Sequence, residues 1–154
     1  MTEWAHVLGS AWKSLCDAYE RGDFAPATEA DIQSELYHLV KRRVSANQRR
    51  RIHVCTRYSN GSRRTDLQLG SSYYVETKKR KSRDWGTDPS WFNDVKKLQR
   101  IAKQDPRRTP VAAVLFITPL TGYQLSRLEE FRNRAWEKGV RLIFGSKGRC
   151  TFWR

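Results

Sequence analysis

The sequence predicts an α/β domain, a mixed central sheet flanked by helices with an extra helix at its N-terminus. Three observations predict it. Three short segments with β-branched and aromatic content, separated by tight turn signals, read as an antiparallel meander. One later segment, "TPVAAVLFITPL" (109–120), is almost continuously apolar, as a strand buried on both faces must be. Four segments carry apolar residues at the three- and four-residue spacing of amphipathic helices. The 154 residues suffice for a single domain with a core of its own.

The first helix is predicted over 2–21, where Trp4, Leu8, Ala11, Leu15 and Tyr19 form a stripe and Gly22 provides the stop. The second covers 28–44, with Thr28 as N-cap, acids in the first turn and bases in the last. Its stripe is Ile32, Leu36, Leu39 and Val40. At about 100° per residue, Glu29 projects between Leu36 and Val40, toward the core. Glu35 lies at the edge of that arc and Asp31 further round. A polar, basic loop, "SANQRRR", leads to the strand 52–58. An Asn-Gly turn at 59–62 joins it to the strand 64–69, and "GSS" joins that to the strand 73–80. Asp88 and Pro89 are the N-cap and first residue of a third helix with the stripe Trp91, Val95, Leu98 and Ala102. After the apolar strand, a fourth helix covers 122–138, and short strands at 140–145 and 150–154 close the chain.

Charge narrows the function. Thirty Lys and Arg face sixteen Asp and Glu, a formal net charge of +14. Such a balance calls for a polyanionic partner, nucleic acid first and an anionic membrane surface second. No apolar run approaches the roughly 18–20 residues of a membrane span, and the helices lack the basic amphipathic pattern of a membrane-surface binder. The start of the chain has no secretory pattern. Three scattered cysteines without a CxxC pair argue against a zinc site or a disulfide framework. A cytoplasmic or nucleoid-associated protein is expected. His6, His38 and His53 are too dispersed to form a metal cluster.

The segment "RRTDLQLGSSYYVETKKRK" (63–81) carries the chemistry. Strand alternation points Glu76 and Lys78 to one face, with Tyr74, and sends Val75 and Thr77 to the other. Asp66 lies on the neighbouring strand of a tight hairpin, and Glu29 comes from a helix packed on that sheet. Three carboxylates and a lysine can therefore converge. Mg²⁺, with Mn²⁺ as a substitute, takes oxygen ligands and is held by one or two carboxylates together with water and substrate phosphate. A lysine beside such an ion can orient or deprotonate a water, or neutralise developing charge. The basic residues around it (Arg49, Arg50, Arg63, Arg64, Lys79, Arg80, Lys81, Arg83, Lys96 and Lys97) are candidates for binding phosphate.

"TD" at 65–66 followed after nine residues by "ETK" at 76–78, behind the helix "EADIQSEL", resembles the D…(D/E)xK core of the PD-(D/E)xK nuclease superfamily, the restriction-endonuclease-like and Holliday-junction-resolvase-like enzymes. The element order over 28–120 is similar to that superfamily's αβββαβ core. Thr65 stands where the motif's name has proline, a loosely kept position. The resemblance implies a Mg²⁺-dependent DNA endonuclease acting in recombination, repair, transposition or phage defence. Asp66 and Glu76 would be metal ligands, Lys78 the catalytic lysine and Glu29 the helix carboxylate, with Glu35 as its rival. Lys96, Lys97 or Gln99 would supply a polar group from the following helix. It further implies a homodimer or a partner-recruited enzyme reading DNA structure.

Plainer readings stand beside these. Glu76 and Lys78 fit a same-face surface pair worth about 0.2–1 kcal/mol, Asp66 a turn residue, and Glu29 an acid placed by the helix dipole. Tyr73, Tyr74, Trp85 and Trp91 fit core packing as well as base stacking. A non-catalytic basic DNA- or RNA-binding protein keeping the same fold is the functional alternative.

Overall fold

The computed structural model describes residues 3–57, 64–81 and 89–151. The expected residues Arg63, Arg83, Trp85 and Asp88, the Asn60-Gly61 turn and the side chain of Trp91 lie outside what it describes. The chain folds as α1 (Glu3–Arg21), α2 (Glu29–Lys41), α3 (Ala46–Arg49), β1 (Ile52–Arg57), β2 (Arg64–Leu69), β3 (Tyr73–Arg80), α4 (Pro89–Gln104), β4 (Thr109–Phe116), α5 (Gly122–Glu137), β5 (Arg141–Ser146) and β6 (Arg149–Thr151). This is the α/β class expected, with the α–β–β–β–α–β order intact from α2 to β4 once the single turn of α3 is set aside.

The strands form one six-stranded sheet in the order β1-β2-β3-β4-β5-β6. β1, β2 and β3 pair antiparallel, β3, β4 and β5 parallel, and β6 returns antiparallel to β5. The two crossovers, through α4 and α5, step the same way along the sheet, so a common hand puts both helices on one face. α1 and α2 cover the other.

Alternation within the strands divides the core accordingly. Val75, Val111, Ala113, Leu115 and Ile143 pack with Trp12, Leu15, Ile32 and Leu36 of α1 and α2. Tyr74, Ala112, Val114, Phe116 and Phe144 pack with Leu98, Ile101 and Leu128 of α4 and α5. That is why β4 reads as an unbroken apolar run. Tyr73 and Tyr74 belong to these two cores and are not available for base stacking.

Gly70, in the turn between β2 and β3, has φ +62°, and a Cβ there would lie 2.6 Å from the indole nitrogen of Trp4. The turn thus needs glycine both for its backbone and for the close seat of α1.

Several boundaries differ from expectation. α2 stops at Lys41, and the "SANQRRR" segment, expected as loop, contains the single turn α3. Ser45 and Gln48 form a reciprocal capping box there, a pattern present in the sequence. β4 ends at Phe116 rather than 120, two residues before Thr118-Pro119, where proline has no N–H to donate. In α4 the buried positions are Val95, Leu98 and Ile101, while Ala102 is only partly covered.

All three cysteines are free. The Cys150 thiol and burial push the Cys16 thiol far above its ordinary range. Among the described residues no helix is long and apolar enough to cross a membrane.

Candidate active site

The last recorded β2–β3 pair is Leu67 with Val75. β1 stays with β2 beyond it, through Thr56–Thr65 and Arg57–Arg64, so β2 and β3 part at the level of Asp66 and Glu76. Asp66 Oδ2 fills the gap. It accepts the Thr77 backbone N–H (2.7 Å) and the Thr77 hydroxyl (2.8 Å), so a side chain takes the place of the ladder bonds. Gln33 Nε2 of α2 donates to the Asp66 carbonyl at 3.0 Å and holds the strand from below. Asp66 Oδ1 has no hydrogen bond or ion pair with a described residue.

Glu76 is only 6 % exposed. Its Oε1 accepts from Lys97 Nζ of α4 at 2.9 Å and stands 4.0 Å from Lys78 Nζ. Its Oε2 is buried and has no partner among the described residues. Burial, then the nearby charge of Asp66, raise the Glu76 pKa, and the opposing pull of Lys97 and Lys78 does not cancel them. A buried carboxylate oxygen without a partner is costly.

Lys78 Nζ lies 3.2 Å from Asp94 Oδ2 of α4 and 3.3 Å from Glu29 Oε2 of α2. Burial works against its charge, but Asp94, Glu29 and Glu76 outweigh it and hold the pKa above the ordinary lysine value. Lys78 is therefore a fixed ammonium at neutral pH. Arg80 Nη1 meets Glu29 Oε1 at 2.9 Å, and Nη2 stands 4.0 Å from Asp94 Oδ2. Four carboxylates (Glu29, Asp66, Glu76, Asp94) thus enclose three cations (Lys78, Arg80, Lys97).

This arrangement corrects several expectations. Glu29 does not point into the core: its side chain is 40 % exposed, at the rim, because α2 begins there. It joins the cluster through Lys78 and Arg80 and does not complete a triad with Asp66 and Glu76. Among the described residues, no group of three or more His, Cys, Asp or Glu side chains is arranged to hold a metal ion. Glu35 makes no hydrogen bond or ion pair with the cluster. Arg80, expected on phosphate, is 14 % exposed and bound to carboxylates. Lys97, also expected on phosphate, is held by Glu76. Lys79 donates to the Ala27 carbonyl at the start of α2. Arg49, Arg50, Arg64, Lys81 and Lys96 do lie on the surface, Arg49 with a bond to the Lys41 carbonyl.

Sequence reasoning missed Asp94, Gln33 and Thr77. A signal for Asp94 was present: it precedes Leu98 and Ile101 by four and seven residues, which puts it on the buried side of α4.

No protein-family model matches this chain, and no curated protein does. Among solved structures it is similar to SfsA of Pyrococcus furiosus in complex with Ca²⁺, at 13% identity and a TM-score of 0.46, over 80% of this chain and 62% of that one. The chain thus spans less than two thirds of that structure, and at this level of similarity the match assigns no activity.

The donor set suits a hard divalent ion. Asp66 Oδ1 and Glu76 Oε2 are hard oxygens without partners among the described residues, on groups close enough that one charge raises the other's pKa. Two carboxylates with further positions for water and phosphate suit Mg²⁺ or Mn²⁺, so the residues fit such an ion.

Proposed function

We propose that this protein is a metal-dependent DNA endonuclease of PD-(D/E)xK type, hydrolysing phosphodiester bonds at the gap between β2 and β3. The observation that carries the reading is the buried Oε2 of Glu76 beside Asp66, without a partner among the described residues, with the Lys78 ammonium 4.0 Å from the same carboxylate's other oxygen. Asp66 and Glu76 would hold Mg²⁺ or Mn²⁺, which when bound supplies Lewis-acid charge at the scissile phosphate.

The chain's own residues do the rest. Thr77 fixes the Asp66 carboxylate by two hydrogen bonds and leaves one oxygen for the ion. Lys78, kept protonated by Asp94 and Glu29, stabilises negative charge developing on phosphate and is not the base. Glu29 and Asp94 position Lys78, and Arg80 holds Glu29 in place. Exposed Arg49, Arg50, Arg64, Lys81 and Lys96 bind the flanking backbone. The enzyme reads DNA structure, or is directed by a partner or a second copy of itself, in recombination or repair.

A specific observation favours a second reading, a non-catalytic DNA- or RNA-binding protein. Lys97 Nζ sits 2.9 Å from Glu76 and already supplies a positive charge where a metal would. The test is incubation of supercoiled, linear and branched DNA with Mg²⁺ or Mn²⁺, using wild type, Lys78→Ala and Glu76→Ala. Cleavage by wild type and its loss in both variants supports the enzyme. No cleavage, or equal cleavage by all three, supports the binding protein, and competition between DNA and RNA at fixed salt then identifies its ligand.

A further inference from the structure

At the opposite end of the parallel strands, where Thr109 pairs with Tyr73 at the start of β3, the surface holds a cavity of about 380 Å³. Lys103, Arg108, Lys138 and Arg141 line it, with Trp136, and no acid among the described residues contributes to the lining. It lies between the C-terminal ends of α4 and α5. Five steps along β3 separate this level from Lys78, about 17 Å at 3.3 Å per residue. The cavity is thus a separate place from the carboxylate cluster.

Two features show what it is built to take. Trp136 is 50 % exposed, an unusual position for so large an apolar side chain on a half-polar helix. The Arg141 guanidinium lies over its ring, 4.7 Å from the centroid, and half of the side chain is open to solvent, where a planar ligand can reach it. Arg108 is likewise placed over Tyr74, 5.2 Å from the centroid, with Asp105 3.8 Å away as its flanking acid. Lys103 and Lys138 are exposed and form no ion pair with a described residue. The floor is shaped by Gly139, at φ +77°, whose Cβ would come within 3.1 Å of Ala102. The lining is basic, with Lys103 and Lys138 forming no ion pair with a described residue, and such a concavity favours an anion. An aromatic face beside a cluster of cations fits a base next to its phosphate.

We propose that this cavity binds a nucleotide unit of single-stranded nucleic acid, its base stacked on Trp136 and its phosphate held by Lys103, Arg108, Lys138 and Arg141. The site is independent of the metal-dependent chemistry assigned to the other end of the sheet. It gives the protein a grip on an unpaired strand or flap leading away from a duplex.

The experiment is fluorescence anisotropy of a short labelled oligothymidine with the full chain, in metal-free buffer. The variants are Trp136→Ala, Trp136→Phe, the double variant Lys138→Ala/Arg141→Ala, and Asp66→Asn. Thermal melting of each confirms that it folds. Trp136→Ala should weaken binding about tenfold, since one base–aromatic stack is of that order, and Trp136→Phe should restore most of it. The double variant should weaken binding by a similar or larger factor and flatten its salt dependence. Asp66→Asn should bind at least as tightly as wild type. Unchanged affinity in both Trp136→Ala and the double variant overturns the proposal. If only the double variant weakens, and pyrophosphate competes fully, the cavity is a plain anion site and the nucleotide assignment fails. Either failure leaves the cleavage test of Lys78→Ala and Glu76→Ala untouched, so the two readings fall separately.

Discussion

The two ends of α4 handle charge in opposite ways. Near its start, Asp94 and Lys97 enter a cluster in which Lys78, Arg80 and Lys97 each meet a carboxylate within 3.3 Å. Near its end, Lys103 joins Arg108, Lys138 and Arg141 around a cavity whose lining carries no acid among the described residues. The first region is internally neutralised to within one charge, and its geometry is held by its own ion pairs. The second concentrates positive charge around a hollow that an anion can enter. A formal +14 is therefore not a uniform basic coat. Cations locked among buried carboxylates shape a site, and cations facing a solvent-filled hollow attract a partner.

The largest effect is expected from Asp66→Ala. It removes an open oxygen next to Glu76 and the acceptor of both Thr77 bonds. Single-turnover cleavage at saturating DNA should fall by at least about 10²-fold, the scale of losing one preorganised electrostatic element, while DNA affinity holds or rises. A parallel loss of affinity would mean that the cluster binds DNA and does not act on it.

Next in size is Lys97→Ala. Removing the lysine takes from the largely buried Glu76 carboxyl its 2.9 Å partner. A stability loss of about 2 kcal/mol, roughly 4–8 °C in Tm, is expected for a charge-assisted bond at such a site. Mg²⁺ should raise the variant's Tm more than that of wild type, because the ion no longer competes with a resident ammonium. Equal Mg²⁺ shifts in the two proteins would show that Lys97 and the metal do not share Glu76.

Legibility in the sequence follows the range of the interactions. Asp66, Glu76 and Lys78 lie on one hairpin, where strand alternation and a short turn set their relation. Glu29 was placed by helical periodicity to within one side of α2, but its rim position depends on where α2 begins over β3. Asp94 and Gln33 reach the cluster from other layers, and the distance along the chain hides such partners. The basic cavity was invisible for the same reason. Its cations are spread from Lys103 to Arg141 over two helices and the segments that follow them, and only the parallel crossovers bring them together. Arg80 looked like one more base in "KKRK", and only the fold shows that Glu29 and Asp94 hold it.

That last distinction can be measured through salt. The slope of log K for DNA against log salt should shrink by up to about 0.7–0.9 in Lys138→Ala/Arg141→Ala, the value for one phosphate no longer neutralised. Arg80→Gln should leave the slope as it is, since Arg80 already faces Glu29 at 2.9 Å. A slope reduced in Arg80→Gln and unchanged in the double variant would reverse the roles assigned to the two regions.

The smallest effect concerns the proton on Glu76. Burial and Asp66 raise its pKa above the ordinary 4.5, so the folded protein holds that proton more tightly than the unfolded chain does. A state that binds more protons loses stability as pH rises. Glu76 therefore favours folding most below about the unfolded value and loses that contribution as pH climbs from there through the raised folded pKa. Glu76→Gln carries a neutral side chain of the same shape and lacks this dependence. In metal-free buffer the melting temperature of Glu76→Gln minus that of wild type should grow from pH 4 to pH 7. Saturating Mg²⁺ at pH 7 should close the gap by stabilising wild type alone, because the ionised carboxylate then has a partner and the amide gains none. A gap that stays constant with pH would mean that Lys97 already neutralises Glu76 in full. The cluster would then be self-sufficient without a metal, whereas the cavity at the far end of α4 still gathers four cations around a space fit for an anion.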